Sequence, residues 1–87
     1  MSEDPLLSFP CELPVKVLGR NDSAFRDAVW SIVREHYADL AEHRVSEQAS
    51  RNSAYVSLTF MISAQSREEV DALYRDLTSS DDIMLVL

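Results

Sequence analysis

The strongest period-two signal in the chain runs from Tyr55 to Ser63. There Val56, Leu58, Phe60 and Ile62 alternate with Tyr55, Ser57, Thr59, Met61 and Ser63, the pattern of a strand with one buried face. One wholly apolar face set against one that is mostly small and hydroxylated implies a helix layer on a single side. A second alternating stretch, Glu12 to Leu18, puts Leu13, Val15 and Val17 on one face and Glu12, Pro14 and Lys16 on the other. Pro14 lacks an N–H for the ladder, so regular pairing is expected only after it. His43 to Ser50 is polar, with Val45 its one strong β-former, and is assigned to an edge strand. Ile83 to Leu87 is read as a short final strand.

Helical spacing fills the intervals. Phe25, Ala28, Val29, Ile32, Val33 and His36 recur at i, i+3, i+4, i+7, i+8 and i+11, one stripe of an amphipathic helix, with Trp30 beside it. Asp22 or Ser23 supplies the cap, and the helix is expected to end near Tyr37 or Leu40. Ser66-Arg67-Glu68-Glu69 has the form of a capping box, the Ser hydroxyl taking the amide of Glu69 and the Glu69 carboxylate reaching back. Val70, Leu73, Tyr74 and Leu77 form the second stripe, and Ser79 to Asp82 stop it. Gly19 to Ser23 and Ser50 to Ser53 carry turn residues.

The order is β-α-β-β-α-β, which predicts an α+β two-layer sandwich with both helices on one face of an antiparallel sheet. The right-handed crossover rule places strands one and three at the centre, antiparallel to strands two and four, for a sheet order of 4-1-3-2. The expected core is Val15, Val17, Phe25, Val29, Ile32, Val56, Leu58, Phe60, Ile62, Val70, Leu73, Leu77 and Leu85. Residues 1–10 read as a loose N-terminal arm, with Leu6, Leu7 and Phe9 docking on the body, and residues 11–87 as a single domain.

Composition narrows what such a domain does. Eight Lys and Arg against fifteen Asp and Glu leave a formal charge of −7, with the cations spread along the chain. Nucleic-acid affinity rests on clustered cations that release phosphate counterions, and anionic membranes repel the same field, so neither is an expected partner. Cys11 is the only cysteine, which rules out an intrachain disulfide and a thiolate cluster and fits a reducing compartment. Glu3 and Asp4 stand where a signal peptide carries Lys or Arg, and no run approaches the roughly 18 apolar residues of a membrane span, so a cytoplasmic protein is expected. No cofactor or metal is expected, because His36 and His43 lack partners at ligand spacing.

Three surfaces remain as candidates. The turn Gly19, Arg20, Asn21, Asp22 and Ser23 occupies the place where regulatory domains of the ACT type, which share this topology, bind amino acids. Its residues are also what a strand end and a helix cap require. The run Val17-Leu18-Gly19-Arg20 followed by Phe25-Arg26 resembles the phosphate-gripping segment of acylphosphatases, with Asn52 available to orient water. Asn21-Asp22-Ser23-Ala24 replaces the glycine-rich cradle of that family, and with one glycine in 87 residues the backbone has none to offer. The open sheet face, with Leu18, Tyr55, Met61, Met84 and Val86, is apolar enough to seek a protein partner or a second copy of the chain.

Taken together, the segments resemble one family, the YbeD-like small bacterial proteins of unknown function. The resemblance lies in Phe9-Pro10 before the first strand, Lys16-Val17-Leu18-Gly19 ending it, and Val56-Ser57-Leu58-Thr59 in the third strand. It continues through Val70-Asp71-Ala72-Leu73-Tyr74-Arg75-Asp76-Leu77 in the second helix and Met84-Leu85-Val86-Leu87 after it. It implies a ferredoxin-like βαββαβ fold similar to ACT domains and a regulatory role, and it brings no catalytic residues. The acidic, polar stretch Glu42 to Ser50 departs from the family pattern.

Overall fold

Four strands and two helices follow one another as expected. In the computed structural model, which describes residues 8–87, they are β1 (Cys11–Arg20), α1 (Ser23–His36), β2 (Val45–Ala49), β3 (Tyr55–Ala64), α2 (Arg67–Thr78) and β4 (Leu85–Val86), with a short 3-10 turn at Glu42–Arg44 before β2. Most of the expected N-terminal arm, Leu6 and Leu7 included, lies outside the described residues, while Phe9 packs partly buried against the core. The sheet order is β2-β3-β1-β4, the ferredoxin-like 4-1-3-2 counted from the other edge.

The central pair carries the architecture. β1 and β3 run antiparallel in unbroken register from Cys11↔Ala64 to Arg20↔Tyr55. Pro14 sits opposite Met61 within that register, so pairing does not wait until after the proline. A proline is tolerated where its missing N–H is not asked for by the ladder. β2 is antiparallel to β3, which makes it parallel to β1 across the intervening strand. The expectation that strand one opposes strand two therefore fails, because a crossover through a helix returns the chain in its original direction.

The core forms between the helices and one face of the sheet. Val15, Val17, Phe25, Val29, Val56, Leu58, Phe60, Ile62, Leu73 and Leu77 are buried there as the alternation predicts, joined by Val33 and Ala64. Ile32 and Val70 reach it only partly buried, and Leu85 does not belong to it. Trp30 lies at the edge of the helix layer, its ring edge-on to Phe60 with centroids 5.2 Å apart, and the Arg34 guanidinium stacks 4.5 Å from the Trp30 centroid. A cation over indole shields an aromatic surface that the helices leave half covered.

The caps are built as the sequence indicates, with one difference. The Asp22 carboxylate accepts from the Phe25 N–H at 2.9 Å, which makes Asp22 rather than Ser23 the cap of α1. The Ser66 hydroxyl accepts from the Glu69 N–H at 3.1 Å, but the Glu69 carboxylate reaches past Ser66 to the Gln65 N–H, also at 3.1 Å. The same carboxylate oxygen accepts from the Tyr37 hydroxyl at 2.6 Å, so it ties the start of α2 to the end of α1. The two helices meet again where His36 Nε2 lies 2.7 Å from the Asp76 carboxylate.

Candidate interaction face and the first strand-to-helix turn

The first turn is shorter than expected. β1 runs through Gly19 and Arg20, leaving only Asn21 and Asp22 between strand and helix. Gly19 is buried beneath the Phe25 ring, and a Cβ there would fall 2.1 Å from Phe25 Cδ1. Its φ is not positive, so glycine is required by space rather than by conformation.

The polar groups of the turn are spent within the protein. The Asn21 N–H donates to the Ala54 carbonyl at 3.1 Å and its carboxamide donates to the Ser53 carbonyl at 2.9 Å, docking the turn on the β2–β3 hairpin. Arg26 grips both Glu47 carboxylate oxygens, at 3.1 and 2.7 Å, and also donates to Asn21 Oδ1 at 2.7 Å and to the Asp22 carbonyl at 3.2 Å. Hydrogen bonding from Arg26 holds the Glu47 carboxyl below its ordinary range, against a smaller opposing push from burial. An arginine already paired bidentately with a carboxylate is not poised to grip a phosphate. Asn52 is committed as well: its side-chain oxygen accepts from the Ala54 N–H and the Ser50 hydroxyl, both at 3.1 Å, and braces a hairpin turn in which Ser53 adopts φ 62°. The two residues of the acylphosphatase resemblance thus serve separate structural bonds. Of the five turn residues, only Arg20 and Ser23 keep exposed side chains without a hydrogen-bond partner among the described residues.

Among the described residues, no helix lies over the opposite side of the sheet. Pairing fixes which residues it presents. Leu18 sits opposite both Ser57 and Leu85, Lys16 opposite Thr59, Pro14 opposite Met61, and Arg20 opposite Tyr55. Cross-strand neighbours share a face, so Leu85 is on the open side and Val86, paired with Val17, is on the helix side, where it packs partly buried against the core. The expected assignment of Val86 to the open face and Leu85 to the core is therefore reversed. Met84 is exposed but precedes the paired residues of β4. Leu85 is 48% exposed and Leu87 59%, with Tyr55 at 37% beside them. Ser57, at the centre of the face, is buried and turns its hydroxyl toward the Gln48 carbonyl at 3.4 Å. Above Leu18 and Ser57 lies a shallow depression of about 270 Å³, walled by Lys16, Gln48, Tyr55 and Leu87.

Met61 belongs to the other end of this face, four β1 positions away by register, or about 13 Å. It lines a separate hollow of about 400 Å³ with His36, Tyr37, Leu40, Arg44 and Ser63. The polar groups there are engaged: Arg44 binds Glu12 and, at 3.0 Å, the Met61 carbonyl, and Ser63 donates to Glu12 at 2.6 Å. His43 is exposed, and Cys11 is a half-buried free thiol. Among the described residues no three His, Cys, Asp or Glu side chains are placed to hold a metal ion, and no helix is long and apolar enough to cross a membrane. Sequence reasoning missed Leu85, Leu87 and the Arg26–Glu47 clamp. The clamp left a signal, since Glu47 shares its strand parity with Val45, next to the helix layer.

Comparison with known proteins places this fold. A solution structure of protein HP0495 from H. pylori superposes with a TM-score of 0.63 at 13% identity, covering 99% of this chain and 90% of that one, a likeness of fold. A UPF0250 protein of Nitrosomonas europaea is 36% identical over 87 residues, all of both chains, and one of Hahella chejuensis is 38% identical over 85 residues, 98% of this chain and 93% of the relative. The model of the family described as "Protein of unknown function (DUF493)" matches residues 4–87, and the chain belongs to that uncharacterised bacterial family, the YbeD-like group that its strand and helix segments resemble.

Proposed function

We propose that this chain is a non-enzymatic regulatory or interaction module whose ACT-like sandwich presents the β1–β4 end of its open sheet face to a protein partner. One observation carries the reading: Leu85 and Leu87 stand half exposed beside Leu18 and Tyr55 on a face that no helix covers among the described residues. Leucines in that setting gain about 25 cal/mol for each Å² taken out of water, which a partner surface supplies. The engagement of Arg26 by Glu47 and of Asn52 by its own hairpin supports a binding role over the acylphosphatase alternative.

The test is a two-hybrid screen run in parallel with wild-type and Leu85→Glu baits, with melting temperature and molar mass by light scattering recorded for both proteins. Partners lost with Leu85→Glu at an unchanged melting temperature support the reading, and a partner set indifferent to the substitution removes the face from consideration. The amino-acid-sensing alternative at Gly19 to Ser23 is checked on the same samples. A ligand at 100 times its Kd adds about 2.7 kcal/mol, a melting shift of several degrees for a domain this small. Such a shift with any amino acid would favour sensing.

A further inference from the structure

We propose that the β1–β4 end of the open face takes an anionic, apolar peptide segment of a partner protein, with an apolar side chain in the depression over Leu18 and carboxylates on Lys16 and Arg20. The proposal rests on reading the open face as a docking surface and adds the chemistry of its occupant.

The local charge is positive. The chain carries −7, yet the depression has Lys16 in its wall and no carboxylate side chain in its lining. Arg20 follows on the same face of β1, beside Tyr55. The Leu87 carbonyl oxygen accepts from the Tyr74 hydroxyl at 3.0 Å and from the Lys16 N–H at 3.5 Å. These two cations are unpaired among the described residues. The ion pairs among the described residues are Arg26–Glu47, His36–Asp76 and Arg44–Glu12, and neither Lys16 nor Arg20 takes part in one. Glu12, the acidic residue on the open face of β1, is by contrast held by Arg44 and Ser63 at the far end.

The spacing of the cations fits the same occupant. Lys16 and Arg20 lie four positions apart on one strand face, about 13 Å, with Leu18 midway. An extended peptide with two acidic residues four positions apart and an apolar residue between them repeats that spacing. A second copy of the chain is a poorer fit. Stacking this end on itself about a two-fold axis sets Lys16 and Arg20 against their own counterparts, and Glu12 is already engaged. A nucleic acid supplies phosphates but leaves the leucine floor unmatched and meets only Tyr55 for stacking.

The experiment pans a displayed library of random octapeptides on the wild type, on Leu85→Glu and on the double variant Lys16→Glu/Arg20→Glu, each checked for native circular dichroism. Both cations are exposed and make no side-chain hydrogen bond among the described residues, so the double variant retains the fold. Wild type is expected to enrich peptides with at least two acidic residues flanking an apolar one. A fluorescein-labelled peptide from that set should lose about tenfold or more in affinity for the double variant, because each exposed attraction becomes a repulsion. Replacing its acidic residues with lysine should restore binding to the double variant and abolish it for wild type. Enriched peptides without acidic bias that are still lost with Leu85→Glu would overturn this inference and leave the docking face standing. Peptides indifferent to all three substitutions, or no enrichment, would overturn both. Labelled oligouridylate that binds more tightly than any peptide and is lost in the double variant would assign the cations to nucleic acid instead.

Discussion

Gly19 is the position where the least added matter has the largest consequence. A methyl group placed there meets Phe25 Cδ1 at 2.1 Å, Cε1 at 2.4 Å and Cγ at 2.8 Å. Carbon atoms in good contact stand about 3.5–4.0 Å apart, so the overlap to be relieved is roughly 1.4 Å. Phe25 has nowhere to go, being 1% exposed within the core cluster. The alternative is for the first turn of α1 to lift, which would strain the Asp22 cap, the Asn21 bonds to the hairpin and the Arg26–Glu47 clamp together. Overpacking of this kind costs about 1–3 kcal/mol, and with three coupled anchors the upper part of that range is expected for Gly19→Ala. A domain of 60–100 residues loses about 4–8 °C per kcal/mol, so the melting temperature should fall by about 8–20 °C. Urea unfolding followed by the fluorescence of Trp30, the sole tryptophan, measures the free energy directly. Phe25→Leu in the same chain should recover part of the loss, because the smaller side chain admits the methyl group. Gly19→Val, a natural choice for probing a ligand loop, is expected to unfold the domain instead. A loss below about 0.5 kcal/mol for Gly19→Ala would place it among ordinary surface substitutions and refute the steric reasoning.

Two further outcomes follow from the polar clamps. Hydrogen bonding from Arg26 depresses the Glu47 carboxyl, so the pair contributes stability above the unfolded glutamate pKa, and that contribution is lost as pH falls through the folded value. Glu47→Gln should therefore cost less than about 1 kcal/mol near neutrality, since the pair is partly exposed, and the difference from wild type should begin to shrink in urea titrations as pH falls below the unfolded glutamate value of about 4.3 and disappear once the lower folded value is passed. Burial, then the bond to Glu69, pushes the Tyr37 hydroxyl well above its usual range, and burial pushes Tyr74 up as well. The folded state keeps these protons longer than the unfolded one, so stability should fall as pH rises past about 10, with a shallower fall in Tyr37→Phe.

What the sequence disclosed and what it withheld divide along a physical line. β3 and the two helices were legible because each carries a one-sided pattern that burial enforces: Val56, Leu58, Phe60 and Ile62 on the strand, and Phe25, Val29 and Val33, then Leu73 and Leu77, on the helices. The family could be recognised from the same segments for the same reason. The state of the candidate turn was not legible, because Gly19, Asn21 and Asp22 serve a ligand loop and a closed structural turn equally well. The contacts that close the turn come from the hairpin, distant in sequence, which takes both Asn21 bonds and brings Glu47 to Arg26.

The final strand shows the same limit with functional weight. Ile83 to Leu87 is apolar at every position, so it contains no alternation from which a face could be read. Its parity is set from outside, by Leu85 lying opposite Leu18 and Val86 opposite Val17. A slip of one residue would exchange the two faces. In that slipped arrangement Val86 would stand over the depression and a leucine would press into a core already filled by Val15, Val17 and Leu77. The observed register gives the smaller side chain to the crowded side and the larger one to the open face. The choice that packs the core is therefore also the one that leaves a leucine exposed beside Leu18 on the proposed docking surface.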